Sequence, residues 1–271
     1  MQEKRDPGSF ETLTSIMSTL RQPDGCPWDR EQTAASLKPY VIEEAYEVIE
    51  AVDSGDPEKL CEELGDLLLQ VVFQAQIAAE RQEFDIKDVI RGISDKLVHR
   101  HPHVFGNVRI KTAAEVTHRW EALKREEKGK ETSVLDGVPR NMPALACSQA
   151  LQERAARVGF DWPDVGGVME KVVEETRELK EAAAPERRAE EFGDLLFALV
   201  NLARHLGIDA EDALRRTGQR FSARFGYLEG TCRERGVPID SLSLEEMDGL
   251  WEEAKSKGVG DREGESRGGQ T

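Results

Sequence analysis

The feature that most constrains this chain is a pair of acid patterns that occurs twice in the same order. In the first half, Glu43-Glu44-Ala45-Tyr46-Glu47 precedes Glu62-Glu63-Leu64-Gly65-Asp66-Leu67-Leu68. In the second half, Glu174-Glu175-Thr176-Arg177-Glu178 precedes Glu190-Glu191-Phe192-Gly193-Asp194-Leu195-Leu196. Such recurrence is the mark of two tandem domains of one ancestry. Acids at i, i+3 and i+4 share one face of a helix. Glu63 and Asp66 lie about 60° apart on a helical wheel, so their carboxylates point the same way. Behind each second pattern the chain is uncharged, from Leu67 to Ala79 and from Leu195 to Ala203. A helix apolar nearly all round is expected to be buried. Carboxylates at the head of such a helix, Asp66 and Asp194 above all, need a cation, donors or a proton to compensate them. Glu43, Glu47 and Glu50 alone would read as a solvated face opposite Val41, Ala45, Val48 and Val52. Pairing with the second pattern, in both halves, turns the reading toward a cation site.

The remaining chain is helical in pattern, and strand-like alternation is essentially absent. Ser9–Leu20 is amphipathic, and Gln22–Asp29, with two prolines and a glycine, breaks it. Pro39 suits the first turn of the helix carrying Glu43, which stops at Asp53-Ser54-Gly55. Asp56-Pro57 restarts the chain as a cap followed by proline, and a helix over 58–80 follows. So short a connection makes the two acid-bearing helices antiparallel neighbours. Further helices are expected over 85–99 and 113–127. The fold class is therefore all-α: an N-terminal domain over 1–128, a linker over 129–143, a C-terminal domain over 144–258, and a disordered tail over 259–271.

Composition narrows the function. The net charge of −16 argues against non-specific binding to nucleic acid or to an anionic membrane, since both need a basic surface. No apolar run is long enough to span a bilayer and Met1–Asp6 lacks a signal-peptide core, which reads as cytoplasmic. Cys26, Cys61, Cys147 and Cys232 are scattered, a pattern of reduced thiols rather than of a zinc site or disulfide framework.

Oxygen ligands from several carboxylates suit Mg²⁺, with Mn²⁺ as a substitute, rather than zinc. Gly65 and Gly193, each inside an acid pattern, suggest close approach of a helix or ligand. Arg220 and Arg224 lie one helical turn apart, as do Trp251 and Lys255; Lys96, Arg100, Trp120 and Lys124 are their counterparts in the first half. Such cations could hold phosphates, and a tryptophan could stack on a base. Spacing alone would equally fit surface arginines and an amphipathic core tryptophan. His99, His101 and His103 have no counterpart in the second half and read as a structural loop. Glu115–His118 is the only ExxH, whereas a di-iron bundle needs two. Neither a P-loop nor GxGxxG occurs.

EExxE followed by ELGD, with the Gly25–Asp29 and His101–Gly106 segments, resembles the all-α nucleoside triphosphate pyrophosphohydrolases of the MazG-like superfamily, over most of the chain. The resemblance implies helical bundles that dimerise, bind Mg²⁺ and hydrolyse nucleoside triphosphates to monophosphate and pyrophosphate. Glu44, Glu47, Glu63 and Asp66 match the metal ligands in the first repeat; Glu175, Glu178, Glu191 and Asp194 match them in the second. Glu43 and Glu174 occupy the first position of the pair, suited either to orienting the attacking water or to supporting the metal ligands from behind. Arg224, Trp251 and Lys255 match nucleotide-contacting positions. Phe192 departs from the leucine of the motif at a site that bears no acid. Two MazG-like four-helix-bundle-type cores would leave apolar faces uncovered, which implies a homodimer. Narrow specificity for one nucleotide, nucleotide sensing without turnover, and division of labour between the repeats stay open.

Overall fold

The structure, a computed structural model, describes residues 6–109, 112, 115–116 and 133–261. Among the described residues there are eleven α-helices, one 3-10 turn and no strand. The chain divides into two compact units, Met1–Lys130 and Glu131–Thr271.

In the first unit, α1 (Phe10–Leu20) starts where the Ser9 side chain accepts the Thr12 amide. The expected break follows, but Pro27 begins a short helix of its own, α2 (Pro27–Glu31). Gly25 is required there, because a Cβ would sit 2.2 Å from the Leu20 carbonyl oxygen. Helix α3 (Lys38–Ser54) ends at Gly55, whose φ of 69° is the left-handed conformation that glycine adopts freely. Asp56 then accepts the amides of Glu58 and Lys59 at the head of α4 (Pro57–Glu80). Asp85 and Asp88 form a reciprocal capping box on α5 (Ile86–Arg100), and α6 (Pro102–Phe105) is a single turn. Helices α3, α1 and α5 all pack against α4. The core is Met17, Leu37, Val72, Phe73 and Ile77.

One expectation needs correcting. Helix α4 buries Gln70, Val72, Phe73, Ala75, Ile77 and Ala78, yet Leu64, Leu68 and Val71 are exposed. Ile42 and Val52 of α3 are exposed as well. The helix is apolar all round, but the unit covers only one of its faces.

The second unit contains α7 (Ala144–Ala156), α8 (Val165–Glu181), α9 (Pro185–His205), α10 (Ala210–Arg235), a 3-10 turn at Ile239–Ser241, and α11 (Leu244–Ser256). Asp164 caps α8, Asp209 caps α10, and Ser243 with Glu246 forms a capping box on α11. Helix α8 packs on α9, α7 on both α9 and α10, and α10 on α11. Leu228, Cys232 and Leu250 form the core beneath α10 and α11. Again α9 is half covered: Glu191, Ala198, Val200 and Asn201 are buried, while Phe192, Leu196, Phe197 and Leu199 are exposed.

Part of the expected linker is held down. The Arg154 guanidinium donates to the carbonyls of Leu135 (3.1 Å), Asp136 and Gly137 (2.9 Å). The helix expected over 113–127, with Trp120 and Lys124, lies outside the described residues apart from Glu115 and Val116. Of the expected disordered tail, Val259–Asp261 is ordered against α10, as set out below. No described helix is long and apolar enough to cross a membrane. All four cysteines are free thiols.

Candidate functional site

Among the described residues two carboxylate centres form, one in each unit. In the second, α8 supplies Glu175 and Glu178 and α9 supplies Glu191, with one ligand oxygen from each lying within 4.8 Å of the others. Glu175 and Glu191 are only 5% and 4% exposed. Such burial is tolerable because each has a cation one turn earlier on its own helix. Lys171 Nζ lies 2.6 Å from Glu175 and 3.2 Å from Glu174, and Arg187 Nε lies 2.6 Å from Glu191. The hydrogen bond to Glu175 pushes the Lys171 ammonium up to about 12. Glu178 has no such partner. The negative charge of Glu191 first, then burial and Glu175, raises its carboxyl above the usual range.

In the first unit, α3 supplies Glu44 and α4 supplies Glu63 and Asp66, again within 4.8 Å. Burial, then the charges of Asp66 and Glu47, raises Glu44; burial, then Glu47 and Glu62, raises Glu63. Lys59 stands one turn before Glu63, as Arg187 does before Glu191, but it pairs with Glu50 at 3.1 Å.

Each centre therefore assembles three of the four expected ligands. Glu47 stays outside the first trio, although it hydrogen-bonds Glu44. Asp194 is exposed and outside the second trio. Glu174 is half-buried and lines an open groove of about 500 Å³ with Met169, Glu170, Val173 and Arg177. Glu43 is exposed beside Glu44. Gly65 and Gly193 do not meet a close neighbour: a Cβ at either would find nothing within 4 Å.

Both trios fit a hard divalent cation. Three carboxylates on two helices form an all-oxygen donor set. Hard divalent cations such as Mg²⁺ take oxygen ligands of this kind, and in the second centre a cation would replace Lys171 and Arg187 as the partner of Glu175 and Glu191.

The basic and aromatic residues are only partly gathered. Arg224 of α10 lies 5.9 Å from the Trp251 ring of α11, and Phe221 packs on the same ring at 5.2 Å. Arg220 donates to Thr217 (2.8 Å), and Lys255 pairs along its own helix with Glu252 (2.6 Å). Lys96 and Arg100 lie on α5. His101 sits at the end of α5 with Nδ1 2.6 Å from the Leu97 carbonyl, in keeping with a structural loop.

Sequence reasoning passed over Lys171 and Arg187, though each precedes an expected ligand by four residues, the spacing of a helical ion pair. It also passed over a repeat of Gly25-Cys26-Pro27-Trp28 as Gly159-Phe160-Asp161-Trp162. In both units this segment is tied to the end of the second acid-bearing helix. Arg21 makes two 2.7 Å bonds to Glu80 and donates to the Asp29 carbonyl, while Arg204 forks onto Asp161.

Comparison with known proteins agrees with this layout. The MazG nucleotide pyrophosphohydrolase domain matches residues 32–105 and 166–225, which contain both centres. The nucleoside triphosphate pyrophosphohydrolase/pyrophosphatase MazG of Thermotoga maritima is 51% identical over 91% of this chain and 95% of its own length. The nucleoside triphosphate pyrophosphohydrolase of Escherichia coli is 46% identical over 92% of this chain and 98% of its own. A Bacillus subtilis protein, YabN, is 49% identical over 91% of this chain, which spans 51% of it. The chain belongs to the MazG family of nucleotide pyrophosphohydrolases.

Proposed function

We propose that this protein is a Mg²⁺-dependent nucleoside triphosphate pyrophosphohydrolase, with Mn²⁺ able to substitute, that converts NTPs and dNTPs to monophosphates and pyrophosphate. The observation that carries the reading is the Glu175, Glu178 and Glu191 trio, convergent on two packed helices and backed by Lys171 and Arg187. Glu175, Glu178 and Glu191 would hold the metal, with Asp194 one turn further along α9 able to join them; Glu44, Glu47, Glu63 and Asp66 would do the same in the first unit. Bound Mg²⁺ would neutralise the triphosphate and acidify a water. Glu174, next to Glu175 on α8, would orient the attacking water and take up its proton; Glu43 has the matching place beside Glu44. Lys171 and Arg187, paired with Glu175 and Glu191, would supply positive charge beside the triphosphate that favours the leaving pyrophosphate.

Arg224 and Arg220 are assigned to the phosphates, Trp251 to the base and Lys255 to a supporting charge. Lys96, Arg100, Trp120 and Lys124 are the first-repeat candidates. Stacking on an indole discriminates little among bases, which supports a base-tolerant enzyme suited to cleansing the nucleotide pool. The exposed apolar faces beside the second centre, with Met169 52% and Val173 69% exposed, support a homodimer. Glu191→Gln in the full chain tests the site. Loss of turnover by about 10²–10³-fold, the scale for removing one electrostatic contributor to the transition state, is expected; full activity would overturn the assignment.

A further inference from the structure

The chain beyond α11 turns back onto α10 instead of running into solvent. Gly258 and Gly260 adopt φ of 69° and 80°, left-handed conformations that redirect the backbone. Gly260 lies so close to α10 that a Cβ there would come within 3.2 Å of the Arg220 Cα and 3.3 Å of the Ala223 Cβ. This seating delivers two acceptors to one guanidinium. The Val259 carbonyl takes a hydrogen bond from Arg224 Nε at 3.1 Å, and Asp261 Oδ1 takes one from Arg224 Nη2 at 2.8 Å. The Arg224 side chain is only 15% exposed. Its guanidinium thus lies beside the Trp251 ring with Nε and Nη2 engaged by this segment.

We propose that Gly258–Asp261 is an intramolecular strap whose Asp261 carboxylate holds the place on Arg224 that a nucleotide phosphate takes, so that nucleotide binding and strap docking compete. The proposal rests on the reading of Arg224 and Trp251 as nucleotide contacts. Carboxylate and phosphate oxygens are interchangeable partners for a guanidinium fork, the phosphate carrying more charge. The docked fraction therefore lowers the apparent affinity for nucleotide without touching the carboxylate centre. Two features favour release: the Asp261 side chain is 38% exposed, and the strap is only four residues long.

The test compares full-length wild type with Asp261→Ala, Gly260→Val and Arg224→Ala by calorimetric titration of an α,β-methylene triphosphate with Mg²⁺, alongside KM and kcat for ATP. Asp261→Ala removes the competing charge; Gly260→Val keeps Asp261 but disfavours seating the segment, through the close approach to Arg220 and the φ of 80°. Both variants are expected to bind about three- to fivefold tighter, the scale of one partly exposed ion pair, with KM lowered and kcat unchanged. Arg224→Ala is expected to bind more weakly. Unchanged affinity in Asp261→Ala and Gly260→Val, with Arg224→Ala still weakened, overturns the strap alone. Unchanged affinity in Arg224→Ala, or no binding by wild type, overturns the nucleotide role of Arg224 and the strap with it.

Discussion

Lys171 reaches along one turn of α8 to set its ammonium 2.6 Å from the buried carboxylate of Glu175. The residue one turn before Glu44 is Tyr40, which packs edge-on against Trp28 at 6.0 Å instead of meeting an acid. The second centre therefore carries its own counter-cation where the first carries an aromatic ring. A metal entering the second centre must displace Lys171, so the ammonium and the metal compete for Glu175. Lys171→Ala is expected to bind Mn²⁺ or Mg²⁺ severalfold more tightly in the absence of nucleotide, yet to turn over NTP more slowly. Titration calorimetry and steady-state kinetics read the two effects separately. Metal affinity unchanged by the substitution would mean that the pair is only a surface contact.

The carboxyls of Glu178, Glu44 and Glu63 are raised by their neighbours and by burial. A raised carboxyl stabilises the fold fully below its unfolded value and loses that contribution as pH rises through the folded value. Glu80 and Asp161, held low by Arg21 and Arg204, act in the opposite sense. Their stabilisation is present above the ordinary carboxylate value and disappears as pH falls through the lowered one. Metal-free protein should thus gain stability as pH falls from neutrality toward the ordinary carboxylate range and lose it again below that range. Added Mg²⁺ should move the optimum upward, because it relieves the repulsion. Glu178→Gln should melt higher than wild type at pH 7 without metal, and the advantage should shrink toward pH 5. A lower melting temperature for that variant at pH 7 would contradict this electrostatic reading.

Arg204 forks onto Asp161 and also donates to Asn201 at 3.0 and 2.7 Å, with side-chain exposures of 14% for Arg204 and 24% for Asp161. Arg204→Ala leaves Asp161 with the Trp162 amide at 2.9 Å and His205 at 3.0 Å. The expected cost is about 2–3 kcal/mol, the range for charged hydrogen bonds in a partly buried setting. That corresponds to a fall of roughly 5 °C or more in melting temperature. Because the clamp lies at the end of α9 distant from Glu191, kcat measured well below the melting temperature should change little.

Much of this architecture is legible in the sequence, for physical reasons that differ from part to part. Helix boundaries follow from Asp56-Pro57, Pro185 and Gly55, residues whose backbone chemistry acts locally. The carboxylate trios follow because i, i+3 and i+4 spacing fixes a common face before any packing is known. What spacing cannot supply is which rotamer a side chain adopts. Glu47 and Asp194 sit on the correct faces yet fall outside the trios, while Lys171 and Arg187 turn inward. Nor does apolar content reveal how many faces of a helix find a neighbour, as Leu64 on α4 and Phe192 on α9 illustrate. The docking of Val259–Asp261 on Arg224 was illegible because it depends on two glycines whose turn has no periodic signature.

Exposed apolar residues beside Glu174 give the homodimer proposal a direct check. Val173→Glu places a charge in the middle of the face formed with Met169 and costs nothing in an isolated helix. Sedimentation should show the wild-type dimer shifting toward monomer, with turnover falling in parallel. A variant that stays dimeric and fully active would place the interface elsewhere.

Product identification addresses the central claim most directly. The full-length protein is incubated with a panel of NTPs and dNTPs, with Mg²⁺ or with EDTA, and the products are separated and quantified. Monophosphate and pyrophosphate in equal amounts, abolished by EDTA and reduced about 10²–10³-fold by Glu191→Gln, is the expected result. Diphosphate with orthophosphate, or equal turnover in EDTA, would contradict it.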